Sequence, residues 1–117
     1  MTPEDIQAMF ANIRENTDWD LQGPLVWGFF FTDAAEAPLR GLQARLESEG
    51  YRFVNLYMQE PDEGEPFHVL HVEKIEVLDE AALEQRNLAL EALAVETGVE
   101  DYDGMDVGPV MEPVTRH

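Results

Sequence analysis

The chain has 117 residues, no cysteine, and 7 Lys plus Arg against 25 Asp plus Glu, which gives a formal net charge of −18. The length fits one domain, the lack of cysteine excludes disulfides and thiolate metal sites, and the charge disfavours direct binding to nucleic acid or anionic lipid. The N-terminus has acidic residues where a signal peptide needs basic ones, and no apolar run approaches the ~20 residues of a membrane span, so we expect a cytoplasmic protein with no membrane partner.

The first half of the chain predicts a helix, a strand and a second helix. Thr2 suits a helix N-cap and Pro3 suits the first helical position, and the residues that follow have apolar side chains at helical spacing. Residues 25–32 form an apolar and aromatic run of strand length. Residues 37–49 are amphipathic and end at Gly50, which predicts the second helix. The apolar positions of the two helices are Ile6, Met9, Phe10 and Ile13, then Leu39, Leu42 and Leu46.

The second half predicts two adjacent strands, a helix and a last strand. Residues 51–60 and 67–77 alternate between two faces and are joined by an acidic turn, which indicates an antiparallel pair. Asp79 suits the N-cap of a third helix that Gly98 ends, and residues 99–108 supply the fourth strand.

This order of elements predicts an α+β fold, the ferredoxin-like split βαβ arrangement (βαββαβ), with a four-stranded antiparallel sheet and an extra N-terminal helix. We divide the single domain, 1–117, into an N-terminal helix and link (1–20), a ferredoxin-like core (21–110) and a tail (111–117).

The helices of this fold cover one sheet face, so the aromatic side chains of the other face need a partner. Strict alternation along residues 51–60 would turn Val54, Leu56 and Met58 toward the helices. The rings expected on the open side are then Tyr51, Phe53 and Tyr57, together with Trp27, Phe29 and Phe31. Either the N-terminal helix folds over them, or they form an interface with the same or another protein. Base stacking is disfavoured because one Lys and six Arg cannot form a positive groove.

No residue pattern indicates a catalytic, cofactor or metal site, so we expect a protein that is not an enzyme and has no cofactor. His68 and His71 are three positions apart on a predicted strand and therefore face opposite ways, so we expect both to be satisfied polar residues of a sheet. His71 and Glu73 share a face, but two ligands do not make a metal site. The stretch around Asp103 and Gly104 fails as an EF-hand, because calcium-ligand positions one and twelve would be valines. Asp103-Gly104 allows positive φ and therefore suits a turn or bulge entering the last strand.

Several stretches together resemble the RraB family, regulators of ribonuclease E activity. They are "FFFTD" before a leucine helix, "GY" opening the next strand, "LEALAVETGVE" at a helix end, and "YDGMDVG" in the last strand. The resemblance covers residues 25–108. It implies a ferredoxin-like fold and a non-enzymatic, acidic inhibitor that binds ribonuclease E and lowers its cleavage of RNA.

The partner-binding residues that we expect are Tyr102, Asp103, Gly104, Met105 and Asp106, with Phe53 and Tyr57 as a second group. The alternative is a structural module whose open sheet pairs with a second copy of the chain as a homodimer.

Overall fold

The computed structural model describes residues 2–110, and the predicted tail at 111–117 lies outside this described part. Within it the helices and strands follow the predicted order. The helices are α1 (Pro3–Asn16), α2 (Glu36–Ser48) and α3 (Glu80–Thr97), and the strands are β1 (Leu25–Asp33), β2 (Arg52–Gln59), β3 (Phe67–Glu76) and β4 (Asp101–Pro109).

The four strands form one antiparallel sheet in the order β2-β3-β1-β4. The two central strands, β1 and β3, are each paired along both sides, and β2 and β4 form the edges. This order, with α2 and α3 as the two crossover connections, is the ferredoxin-like arrangement that the sequence predicts, and α1 is the additional N-terminal helix.

Local signals in the sequence determine where the helices begin and end. Thr2 and Asp5 form a capping box, in which the Asp5 N–H donates to Thr2 Oγ1 at 3.1 Å and the Thr2 N–H donates to Asp5 Oδ2 at 2.9 Å. The Asp79 side chain accepts a hydrogen bond from the Ala82 N–H at 2.7 Å, and Gly98 ends α3 in the left-handed conformation, with φ of 77°.

The aromatic side chains of β1 lie under the helices, so the expectation that they line the open face is wrong. Trp27, Phe29 and Phe31 are 0% exposed. Phe10 of α1 stacks on Trp27 with ring centroids 6.1 Å apart, and Tyr51 meets Phe29 edge-on at 5.9 Å. All three helices therefore cover the same sheet face, and no helix of the described chain lies over the other, which we call the open face.

A β-bulge explains why strict alternation assigned side chains of β2 to the wrong sheet face. Phe53 pairs with Val72 and Asn55 pairs with His71, which leaves Val54 as an extra, unpaired residue. Because the bulge breaks the alternation, Phe53 turns toward the helices and packs against the core, as does Leu56. Tyr57 remains on the open face. Two side chains expected under the helices are instead solvent-exposed, Val54 at 40% and Met58 at 56%.

The attachment of α1 to the core can be tested by removing the Phe10 ring. We expect Phe10→Ala to lower the free energy of unfolding by about 3–5 kcal/mol, because it leaves a cavity above Trp27. Gln7→Ala, at an exposed position of the same helix, is the matched control and should change stability by less than about 0.5 kcal/mol. Urea denaturation measures both, and equal effects would contradict the packing of α1 on this face.

Candidate functional site

The Tyr102 side chain fixes the edge strand β4 to the helical layer. Its hydroxyl donates a hydrogen bond of 2.5 Å to Asn87 Oδ1 on α3, and its ring lies 5.1 Å from that of Phe31. Burial raises the pKa of the Tyr102 hydroxyl above its usual value. This residue therefore performs a structural task inside the fold.

Asp103 and Gly104 form a bulge in β4, as their sequence predicts. Phe31 pairs with Tyr102 and Phe30 pairs with Gly104, so Asp103 is the extra residue. Gly104 has φ of 141°, a conformation that side-chain-bearing residues rarely adopt. The bulge lets Tyr102 reach α3 while the strand continues to Pro109.

A second polar contact holds α3 to the sheet. The Arg86 guanidinium donates to both carboxylate oxygens of Glu76, at 2.6 and 2.8 Å, and this pairing raises the Arg86 pKa. The guanidinium also lies 5.6 Å from the centre of the Tyr51 ring. This cluster faces the helices and is a packing contact.

The open face contains a concavity of about 470 Å³. Two of its lining residues, Glu73 of β3 and Asp106 of β4, pair with Gly28 of β1 from either side. Paired residues share a sheet face, so Glu73 and Asp106 flank the glycine. Arg52 forms a salt bridge with Glu73 across the β2–β3 pair. The apolar part of the wall consists of Val26, Ile75, Val107, Pro109 and Val110.

Gly28 is required for the close approach of two polar side chains above it. A Cβ at this position would collide with Asp106 Oδ1 and lie 2.9 Å from His71 Nε2. Any residue other than glycine would push these groups away. The concavity therefore depends on a glycine inside an otherwise aromatic strand.

His71 lines the concavity, and its imidazole is stacked on a neighbouring ring and lacks a hydrogen bond at one nitrogen within the described chain. Its ring stacks on Phe30, with centroids 4.2 Å apart and planes 16° from parallel. Its Nε2 atom is buried and has no hydrogen-bond partner among the described residues, contrary to the expectation that both histidines are satisfied. Burial lowers the His71 pKa, and the nearby Asp106 carboxylate partly opposes this effect. The imidazole is therefore neutral near pH 7.

The structure separates the residues that we expected to bind a partner. Tyr102 and Met105 are half-buried and pack against the core, and Phe53 does so from β2. Asp103 and Asp106 are exposed on β4. Tyr57, 37% exposed, lies on the open face. The expected residues of β4 and those of β2 therefore do not form one surface.

Sequence reasoning missed the concavity. It took His71 and Glu73 as a polar pair on one face, but it could not bring Asp106 and Arg52 to the same place. That step needs the strand order and the register across three pairs of strands. The single signal in the sequence was Gly28, a glycine within "LVWGFFF".

Residues 2–110 contain neither a cluster of metal ligands nor a helix that could span a membrane. No group of three or more His, Cys, Asp or Glu side chains is placed to hold a metal ion. His68 and His71 do face opposite sides of β3, and His68 Nδ1 lies 3.2 Å from the Ala34 carbonyl oxygen. None of the described helices has the length and apolar character needed to cross a membrane.

Comparison with models of protein families gives a match over most of the chain. The model of a family described as "Regulator of ribonuclease activity B" matches residues 4–107. Among curated proteins no match is found. The matched range runs from the first turn of α1 to β4, so it includes both the Tyr102 contact and the open face.

The structural role of Tyr102 predicts the effect of deleting its hydroxyl. We expect Tyr102→Phe to lower the free energy of unfolding by about 1 kcal/mol, because the hydrogen bond to Asn87 is lost and the ring contact remains. Tyr57→Phe, on the exposed face, is the control and should be neutral. Chemical denaturation distinguishes the two, and equal stability of both variants would count against an anchoring role for Tyr102.

The lowered pKa of His71 predicts a pH-dependent contribution to stability. The unfolded chain takes up a proton near the ordinary pKa of about 6.5, whereas the folded chain resists protonation until the pH is lower. The stability that His71 contributes is therefore present above pH 6.5 and is lost as the pH falls below it. Carboxylates also titrate on acidification, so the measurement is a difference between two proteins.

We expect the wild type to lose more thermal stability than His71→Gln between about pH 7.5 and about pH 5.5. Melting temperatures followed by circular dichroism at both pH values give the comparison. Parallel losses in the two proteins would show that the neutral imidazole contributes nothing to folding.

Proposed function

The chain belongs to the RraB family, whose members regulate ribonuclease activity, and from that membership we propose that it is a non-enzymatic inhibitor that binds ribonuclease E. The observation that carries the proposal is the family match over residues 4–107. The proposed mode of action is protein–protein contact in the cytoplasm. Contact with the enzyme lowers the rate at which it cleaves RNA.

The charge of the chain supports contact with the enzyme and disfavours contact with its substrate. A net charge of −18 repels the phosphate backbone of RNA and attracts the basic segments with which a ribonuclease holds RNA. An acidic protein on those segments would compete with RNA for them. The proposal therefore requires no direct binding of nucleic acid.

We also propose that the seven expected partner-binding residues have two roles, direct contact with the partner and support of the contacting residues. Asp103, Asp106 and Tyr57 are exposed and available to a partner. Tyr102, Met105 and Phe53 pack against the core, and Gly104 allows the bulge, so these four would act by holding the exposed residues in place.

A second candidate function is self-association through the open face. Exposed apolar side chains on and beside this face, among them Ile75 at 53%, favour a contact surface of some kind. Both edge strands carry a bulge, which disfavours pairing of edges between copies. A homodimer would therefore form face to face, and sedimentation velocity at micromolar concentration would detect it.

Inhibition of purified ribonuclease E tests the main proposal. We expect the cleavage rate of a short RNA to fall as the protein is added at about 0.1 M salt, where charges act over roughly 10 Å. The effect should weaken strongly at about 1 M salt, where the screening length falls to roughly 3 Å. A separate gel-shift assay with the RNA and this protein should show no complex.

Each outcome has a distinct meaning. Undiminished cleavage at a large excess of the protein would remove the inhibitor function. Inhibition that is equal at both salt concentrations would retain the function and reject its electrostatic mode.

A further inference from the structure

We propose that the concavity bordered by Asp106 and Glu73 is the surface that receives the partner, and that its occupant is an arginine side chain from an extended basic segment. This inference rests on the proposed function, since it assumes a protein partner with basic character.

The charges around the concavity leave one acceptor uncompensated. Arg52 is paired with Glu73, so those two charges cancel. The His71 imidazole is neutral because burial lowers its pKa. Asp106 makes no salt bridge or hydrogen bond within residues 2–110, and its carboxylate lies over Gly28 beside the neutral His71 ring. A cationic partner group is therefore the complement of this site.

The form of the site suits a guanidinium. A carboxylate with unpaired oxygens accepts two parallel N–H bonds from arginine, a geometry that a lysine ammonium cannot provide. Because Gly28 has no Cβ, the Asp106 carboxylate can lie close against β1, at the border of the concavity. The side chains of Val26, Ile75 and Val110 give an apolar wall for the aliphatic part of an arginine side chain.

Other occupants fit less well. An RNA phosphate would meet the Asp106 carboxylate with like charge. A second copy of the chain carries the same net charge of −18, so its approach is opposed over the whole surface. Strand addition is disfavoured at both sheet edges, where β2 and β4 contain bulges. The basic segment should therefore lie across the face.

The test uses the full chain and a defined probe, a blocked ten-residue peptide of alternating arginine and serine. Its comparison peptide has citrulline in place of arginine, which keeps the shape and removes the charge. Fluorescence anisotropy measures affinity, and amide chemical shifts of the ¹⁵N-labelled protein locate the bound peptide. Asp106→Asn is the main variant. Asp62→Asn is the matched control, because it makes the same chemical change at an exposed position in the link between β2 and β3.

We expect the arginine peptide to shift the amides of Gly28, His71 and Asp106, and the citrulline peptide to shift none of them. Asp106→Asn should weaken binding about tenfold, as the loss of a charge-assisted contact does. Asp62→Asn should remain within about twofold of the wild type, because it changes only the screened general charge. Gly28→Ala, whose Cβ would displace the Asp106 carboxylate and the His71 ring, should also weaken binding while its circular dichroism spectrum stays native.

Three results would overturn the inference. One is equal weakening by Asp106→Asn and Asp62→Asn, which would indicate a general attraction to an acidic protein. Another is shift changes confined to the acidic link or the outer helix surfaces. The third is a change in sedimentation for Asp106→Asn without any change in peptide affinity, which would assign the face to a second copy of the chain.

The ribonuclease E assay separates this inference from the proposed function. If the wild type and Asp106→Asn inhibit equally, the function stands and the concavity is not its surface. If the wild type does not inhibit but the arginine peptide binds at Asp106 as expected, the concavity is a site for basic segments and the ribonuclease is not its partner.

Discussion

The fold depends on one row of aromatic side chains along β1. Trp27, Phe29 and Phe31 point to the same face and are fully buried, and each meets a ring from a different part of the chain. Phe10 of α1 contacts the first, Tyr51 just before β2 contacts the second, and Tyr102 of β4 contacts the third. Large rings bury much apolar area per residue, so this row ties every layer of the domain to its central strand.

The burial of this row has a consequence for the other side of β1. Since side chains alternate along a strand, the row leaves Val26, Gly28 and Phe30 on the open face, with the smallest residue in the middle. The glycine sits between two strands that bring charged side chains toward it. The space that Gly28 leaves on this face is taken by the Asp106 carboxylate and the His71 ring, which border the concavity together with Glu73.

The "YDG" motif and the concavity occupy the same edge strand but have different tasks. Tyr102 and Gly104 hold the strand and shape its bulge, and they do so from inside the fold. Asp106, two residues beyond Gly104, is turned outward and is not held by a salt bridge or hydrogen bond from the described chain. The residues that identify a family can therefore be those that hold a strand in place. The residues that a partner would contact can lie beside them, outside the motif.

The amino-acid sequence by itself determined the order of the helices and strands, their caps, the ferredoxin-like arrangement and the bulge at Asp103 and Gly104. These features follow from local rules: apolar periodicity, capping side chains such as Thr2 and Asp79, and glycines at positive φ.

Only the tertiary structure decided which face of the sheet each side chain occupies and which residues meet there. The bulge at Val54 depends on pairing with β3, and no local signal marks it, so alternation along β2 assigned Phe53 to the wrong face. Arg52, Glu73, Gly28 and Asp106 come from four strands, and the register between those strands brings them into one row. The register of each strand depends on the whole sheet, because it must place the apolar side chains of all four strands on the same buried face.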